Sequence, residues 1–161
     1  MSTVTGSATD VDLGAPADSG PRKRRVVVFP AHGGSGSSTV ARILNLAEVR
    51  DPSALADVRT VIITARSTTD GFDRLLLAVA GLPDSICVVV AATADAPLRA
   101  PAGVRARARM LQRGSRKVSL VNLPYEPSWR HSPADGQRPS KSYRRQLSKL
   151  AAVINHEGIR A

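Results

Sequence analysis

The chain has 161 residues, 42% hydrophobic and 22% charged, which at about 100–200 residues per domain gives one globular domain and excludes wholesale disorder. Aromatics are only 3%, so the core must be built from Val, Leu, Ile and Ala, and the few rings argue against single-stranded nucleic-acid binding by base stacking. The net charge is +10, from 23 Lys and Arg against 13 Asp and Glu, a field that favours nucleic acid, an anionic membrane or an acidic partner and says nothing about fold.

The charge is unevenly placed. Residues 1–20 hold Asp10, Asp12 and Asp18 and no Lys or Arg, so the remaining residues carry a net of +13. Residues 1–21 have no hydrophobic period and read as a disordered tail, with the folded domain over 22–158. The tail has neither the basic nor the apolar region of a signal peptide, and no apolar run approaches the roughly 20 residues that span a bilayer. A cytoplasmic protein is expected. The basic run Arg22 to Arg25 reads as a solvated strand entrance or as an arm for nucleic acid or membrane.

Val26 to Pro30 is a short β-branched run and reads as a buried strand. A glycine-rich turn follows. Thr39 to Glu48 then has helical spacing, with Val40, Ile43, Leu44 and Ala47 on one face. Arg59 to Thr64 is a second strand. Asp70 to Gly81 is a helix facing inward through Phe72, Leu75, Leu76 and Val79, with Gly81 as its stop. Asp70 and Asp73 flank its start, as an N-cap and a first-turn acid or in a metal or switch role. Ser85 to Ala92 is a third strand, with Cys87 as a small buried core residue; one cysteine makes no intrachain disulfide, and no Cys/His spacing matches zinc. Pro101 to Arg113 is a helix with Val104, Ala108 and Leu111 inward. Lys117 to Leu123 is a fourth strand. Ser140 to Ile154 is the last helix, with Tyr143, Leu147, Leu150, Ala151 and Ile154 on one stripe. Strands apolar on both faces that alternate with helices specify an α/β fold: an open parallel sheet of about four to five strands with helices on both faces.

The turn Ala31-His32-Gly33-Gly34-Ser35-Gly36-Ser37-Ser38-Thr39 lies between a strand and a helix. In that context backbone N–H groups and the helix dipole make an anion site, and glycine lets the backbone approach a phosphate. The same turn also serves as a plain connection without a ligand. It nearly fits G-x-x-x-x-G-K-[ST]. Gly36 stands at the second glycine and Ser38 at the Mg²⁺-ligating hydroxyl, whereas Ala31 replaces the first glycine and Ser37 the lysine.

His32 to Thr39 resembles the deviant P-loop of the ParA/MinD partition ATPases, K-G-G-x-G-K-[ST]-[ST], with His32 and Ser37 in place of its two lysines. Val61 to Leu77 resembles that family's strand, loop and following helix. Ile86 to Asp95 is similar to its N-R-x-D strand, with Thr93 at the base-side polar position, and Val121 to Arg130 is similar to its I-P-Y-D-P loop beside the adenine. The resemblance covers roughly 25–155 in family order. It implies a P-loop NTPase-like fold that binds ATP or ADP with Mg²⁺ through His32, Gly33, Gly34, Ser35, Gly36, Ser37, Ser38, Thr39, Thr93, Pro124 and Tyr125, with Ser38 on the metal. No apolar run ends in a Walker-B Asp beside such a loop, so hydrolysis is expected to be weak or absent, with no catalytic residue.

Between Asp95 and Glu126 lie seven basic residues and no acid. Arg105, Arg109 and Arg113 fall at i, i+4, i+8 as one stripe opposite Val104, Ala108 and Leu111. That stripe reads as a solvated face or as a surface for non-specific duplex DNA. Trp129 and Tyr125 form a ring cluster that covers the sheet edge near a base or closes the core, and His131 and His156 read as surface residues. The reading is a degenerate ParA/MinD-like nucleotide-binding protein of DNA partition or mobile-element maintenance, with a homodimer as one possible assembly. The alternative is a pseudo-NTPase basic scaffold that binds DNA or an acidic protein without nucleotide.

Overall fold

The computed structural model describes residues 26–130 and 138–160. The expected tail, the basic run Arg22 to Arg25 and His131 lie outside the described residues. Five strands form one parallel sheet in the order β2-β1-β3-β4-β5, built from β1 (Val26–Pro30), β2 (Ala47–Glu48), β3 (Thr60–Arg66), β4 (Cys87–Thr93) and β5 (Val118–Leu123). The helices are α1 (Ser37–Leu44), α2 (Thr69–Ala80), α3 (Ala102–Arg113) and α4 (Lys141–Arg160).

Period-2 alternation along each strand sends side chains to two cores. Val27, Val61, Ile63, Val88, Val90 and Val118 pack with Phe72 and Leu75 of α2 and Val104 and Leu111 of α3. Val28, Ile62, Val89, Ala91, Val121 and Leu123 pack with Val40 of α1 and Tyr143, Leu147 and Leu150 of α4. Both faces of the central strands are thereby covered, as a parallel sheet requires. Among the described residues, no helix is long and apolar enough to cross a membrane.

Two boundaries differ from the sequence expectation in a way that matters. The helix expected over Thr39 to Glu48 ends at Leu44, because Asn45 adopts the left-handed conformation (φ 52°) and its N–H returns to the carbonyls of Ala41 and Arg42. The chain then turns into β2, a fifth strand the spacing had absorbed into the helix. Cys87 opens β4 and is half-buried rather than sealed in mid-strand. Asp70 is not the cap of α2. Thr68 is, its Oγ1 accepting from the Gly71 N–H at 3.1 Å.

The strand order reverses between β1 and β3, which places the crevice of an open α/β sheet at the carboxyl ends of those two strands. Gly71, in the first turn of α2, is fitted tightly there. A Cβ on it would be driven into the Arg66 carbonyl and would stand 3.1 Å from His32 Nε2. Gly71→Ala is therefore expected to destabilise the fold by about 1–3 kcal/mol through overpacking. Gly103→Ala, whose Cβ meets only the flexible end of Arg107, should be neutral or stabilising by up to about 1 kcal/mol through helix propensity. Urea midpoints of the two variants check the contrast; equal effects would refute it.

Candidate functional site

The turn from β1 into α1 is shaped by two glycines with positive φ, Gly34 (74°) and Gly36 (87°). L side chains rarely adopt that backbone, so glycine is required at both. Gly36 is also the N-cap of α1 and offers no capping side chain, so the first-turn amides of the helix are left for another acceptor. A second device pins the turn. Ser35, buried, shares a 2.8 Å hydrogen bond between its Oγ and Thr64 Oγ1 on β3, and the Ala31 N–H donates to the Thr64 carbonyl.

His32 does not reach out to solvent. Its Nε2 accepts from the Arg66 N–H at 3.1 Å, which leaves Nδ1 to donate to the Gly33 carbonyl at 2.9 Å. The ring thus braces the turn against the end of β3, at the position where the resemblance puts a lysine. Cationic groups come from elsewhere. The Arg66 guanidinium donates to the Gly34 carbonyl at 2.9 Å and to Asp95 at 2.7 Å, tying the turn to the end of β4. Arg50, just beyond β2, lines the same cleft as the turn.

Ser37 and Ser38 both donate to one carboxylate. Ser37 Oγ reaches Glu48 Oε1 at 2.7 Å and Ser38 Oγ reaches Oε2 at 2.9 Å, with Arg50 Nε on Oε1 at 3.2 Å. Partial burial pushes the Glu48 pKa up, but the hydrogen bonds from Ser37, Ser38 and Arg50 and the Arg50 charge outweigh it and hold the group below the ordinary range. Glu48 is therefore a charged anion at the amino end of α1, where the helix dipole favours one. Ser37, buried, spends its hydroxyl on that carboxylate in the place where the resemblance puts a lysine.

The sequence-derived residues fall into neighbouring clefts. His32, Gly33, Gly34, Gly36, Ser37, Ser38 and Thr39 line a cleft of about 490 Å³ together with Arg50. Ser35, Thr93 and Tyr125 join Gly34, Gly36 and Thr39 around a cavity of about 210 Å³ on the other side of the turn. Thr93 Oγ1 and Trp129 Nε1 are buried there without a hydrogen-bond partner, and Gly36 approaches Thr93 closely enough that a Cβ would lie 3.5 Å from its Oγ1. Pro124 lines neither; with Tyr125 it borders a larger cleft of about 1110 Å³ beside α3. The ring of Trp129 packs edge-on against buried Tyr143 at 4.8 Å, so it closes the core and also walls the small cavity.

Glu48, Arg50, Thr64 and Arg66 were missed by the sequence reading. All four lie at or just beyond the carboxyl end of a strand flanking the turn, and that location was the available signal. The arginine stripe is also corrected. Val104, Arg105, Ala108, Arg109 and Gln112 line one cleft, so Arg105 and Arg109 flank the apolar row instead of opposing it. Successive helical residues are only about 100° apart, and the spacing count ignored that offset. Of the seven basic residues, Arg107 pairs with Asp73 of α2, and Arg116 binds Asp84 and the carbonyls of Val79 and Leu82. Asp73 accordingly titrates below its usual range, chiefly through the Arg107 hydrogen bonds.

No protein-family model matches the chain, and no curated protein matches it in sequence.

Proposed function

We propose that the protein is a weak, non-hydrolytic nucleotide-phosphate binder, a degenerate form of the ParA/MinD-like site that its sequence resembles. The observation that carries this reading is the shape of the turn: two left-handed glycines and an uncapped helix start, next to Arg50 and Arg66. A phosphate in the 490 Å³ cleft would meet first-turn amides, the Ser and Thr hydroxyls and a guanidinium. Mg²⁺ would be held by Ser38 Oγ and the Glu48 carboxylate, two hard oxygens already side by side. It would neutralise Glu48 and the phosphates together. The purine side would lie toward Thr93 and Tyr125.

The same geometry limits the site. Without a divalent ion, Glu48 repels a phosphate from the hydroxyls that it occupies. Among the described residues no lysine lines the cleft to stabilise a transferring phosphoryl group, and β3 ends in Thr64, Ala65 and Arg66 without a second carboxylate to support Glu48 there. The Glu48 contact also favours a second reading: a scaffold in which the carboxylate permanently takes the ligand's place and no nucleotide binds.

Titration with a fluorescent ATP and ADP separates the two. Dissociation constants of about 0.1–1 mM, or ~4–5.5 kcal/mol, are expected for the wild type with Mg²⁺. Glu48→Gln should tighten binding in EDTA several-fold, since removing one charge at about 4 Å is worth ~1 kcal/mol in water. It should also shrink the gain from Mg²⁺. No binding of either nucleotide at millimolar concentration, in wild type and variant alike, would favour the scaffold instead.

The wild type should show no Mg²⁺-dependent ATPase above background. Ser37→Lys should improve binding more than turnover, because a lysine there lands beside Glu48 while β3 still lacks an acid. Steady phosphate release by the wild type, lost in Ser38→Ala, would contradict this account.

A further inference from the structure

The two edges of the sheet are finished differently. β2 is two residues long, and a short edge is one of the ways in which proteins prevent further strand pairing. β5 is six residues long and, among the described residues, pairs only with β4. An edge strand of that length presents a row of backbone donors and acceptors over ~20 Å, a template for one more strand.

Grooves run along both sides of this edge. Val118, Leu120 and Asn122 share the α3 face by strand alternation, and the 1110 Å³ cleft on that side is floored by Val104, Ala108 and Leu120. On the α4 side a groove of about 570 Å³ lies between Val121 and Lys149. Leu120 and Asn122 border both, and Gln146 of α4 reaches both. The edge therefore stands in a trough whose walls are α3 and α4.

The trough is cationic. Arg99, Arg105 and Arg109 border it on the α3 side and Lys149 on the α4 side. Arg105 and Arg109 donate to backbone carbonyls, of Ala100 and Arg105, contacts that leave their charges uncompensated. The acid at the rim is Asp95, which Arg66 engages at 2.7 Å. Arg107 and Arg116, by contrast, are spent on Asp73 and Asp84.

We propose that β5 is a docking edge for an extended acidic peptide of a partner protein, which adds as a sixth strand. Backbone pairing to β5 supplies the register. Alternate apolar side chains enter the floor formed by Val104, Ala108 and Leu120. The acidic side chains between and beyond them meet Arg105, Arg109 and Lys149. Duplex DNA fits the charge but not the edge: it has no backbone amides to pair with β5 and is too broad to lie along a single strand. The proposal does not depend on phosphate binding at the glycine turn, since the trough shares no residue with the 490 Å³ cleft; it meets the proposed purine side only at Ala94, Asp95 and Tyr125.

The test uses a fluorescein-labelled ten-residue peptide alternating Val with Glu, followed by anisotropy against the full chain at about 50 mM salt. Saturable binding is expected, weakened at least tenfold in Arg105→Glu/Arg109→Glu and by Lys in place of Glu in the peptide. N-methylation of alternate peptide amides keeps its charge and blocks strand pairing; it should also cost at least tenfold. Asn122→Pro should do the same from the protein side, and the N-methyl peptide keeps the test decisive if that variant folds poorly. Three results overturn the proposal. One is no saturable binding. Another is equal binding of the N-methylated peptide, which would leave charge alone. The third is full displacement by duplex DNA that binds the same arginines more tightly.

Discussion

A single carboxylate governs this site. Glu48 holds both hydroxyls at the amino end of α1, and it does so from an edge strand only two residues long. The sheet has to place β2 beside β1 for that contact to exist, through the register Val27 with Ala47 and Val28 with Glu48. The left-handed turn at Asn45 ends α1 early enough for the chain to reach that register. Arg50 then balances the charge from just outside the strand. A helix start without a side-chain cap, two left-handed glycines and a resident anion form one unit. A phosphate bound as proposed would compete with the Glu48 carboxylate for the Ser37 and Ser38 hydroxyls.

The turn has a second set of contacts. It is fastened to β3 through Ser35 and Thr64, through His32 and the Arg66 amide, and to β4 through Arg66 and Asp95. His32 and Arg66 thus trade the roles suggested by their chemistry. The histidine is structural bracing, and the arginine of β3 is the cation near the glycines. Contacts to β3 and to the residue beyond β4 thus hold the turn that follows β1.

Most of the fold was legible because its signals are local. The β-branched runs of β1, β3, β4 and β5 and the 3.6-residue spacing of α2, α3 and α4 follow directly from side-chain periodicity. β2 was not legible: two residues carry no period, and Ala47 happened to extend the stripe of α1. The glycine turn was visible because Gly34 and Gly36 do what no other residue does there. Glu48, Arg50 and Arg66 were not, because what recruits them is the strand order β2-β1-β3, a long-range fact. The arginine-rich stretch misled in the opposite direction. It contains no acid in sequence, yet Asp73 and Asp84 come from α2 and the loop after it to neutralise Arg107 and Arg116. Arg99, Arg105 and Arg109 of that stretch border the cleft beside β5.

The central claim is that the glycine turn binds a phosphate group weakly, through the amides of His32 to Thr39. An amide-resolved ¹H–¹⁵N NMR titration with ADP and Mg²⁺ tests it most directly. The account predicts saturable, fast-exchange shifts concentrated at Gly33 to Thr39 and at Arg50 and Arg66, with a midpoint in the range of about 0.1–1 mM. Unchanged spectra at millimolar ADP, or shifts confined to α3 and β5, would contradict it.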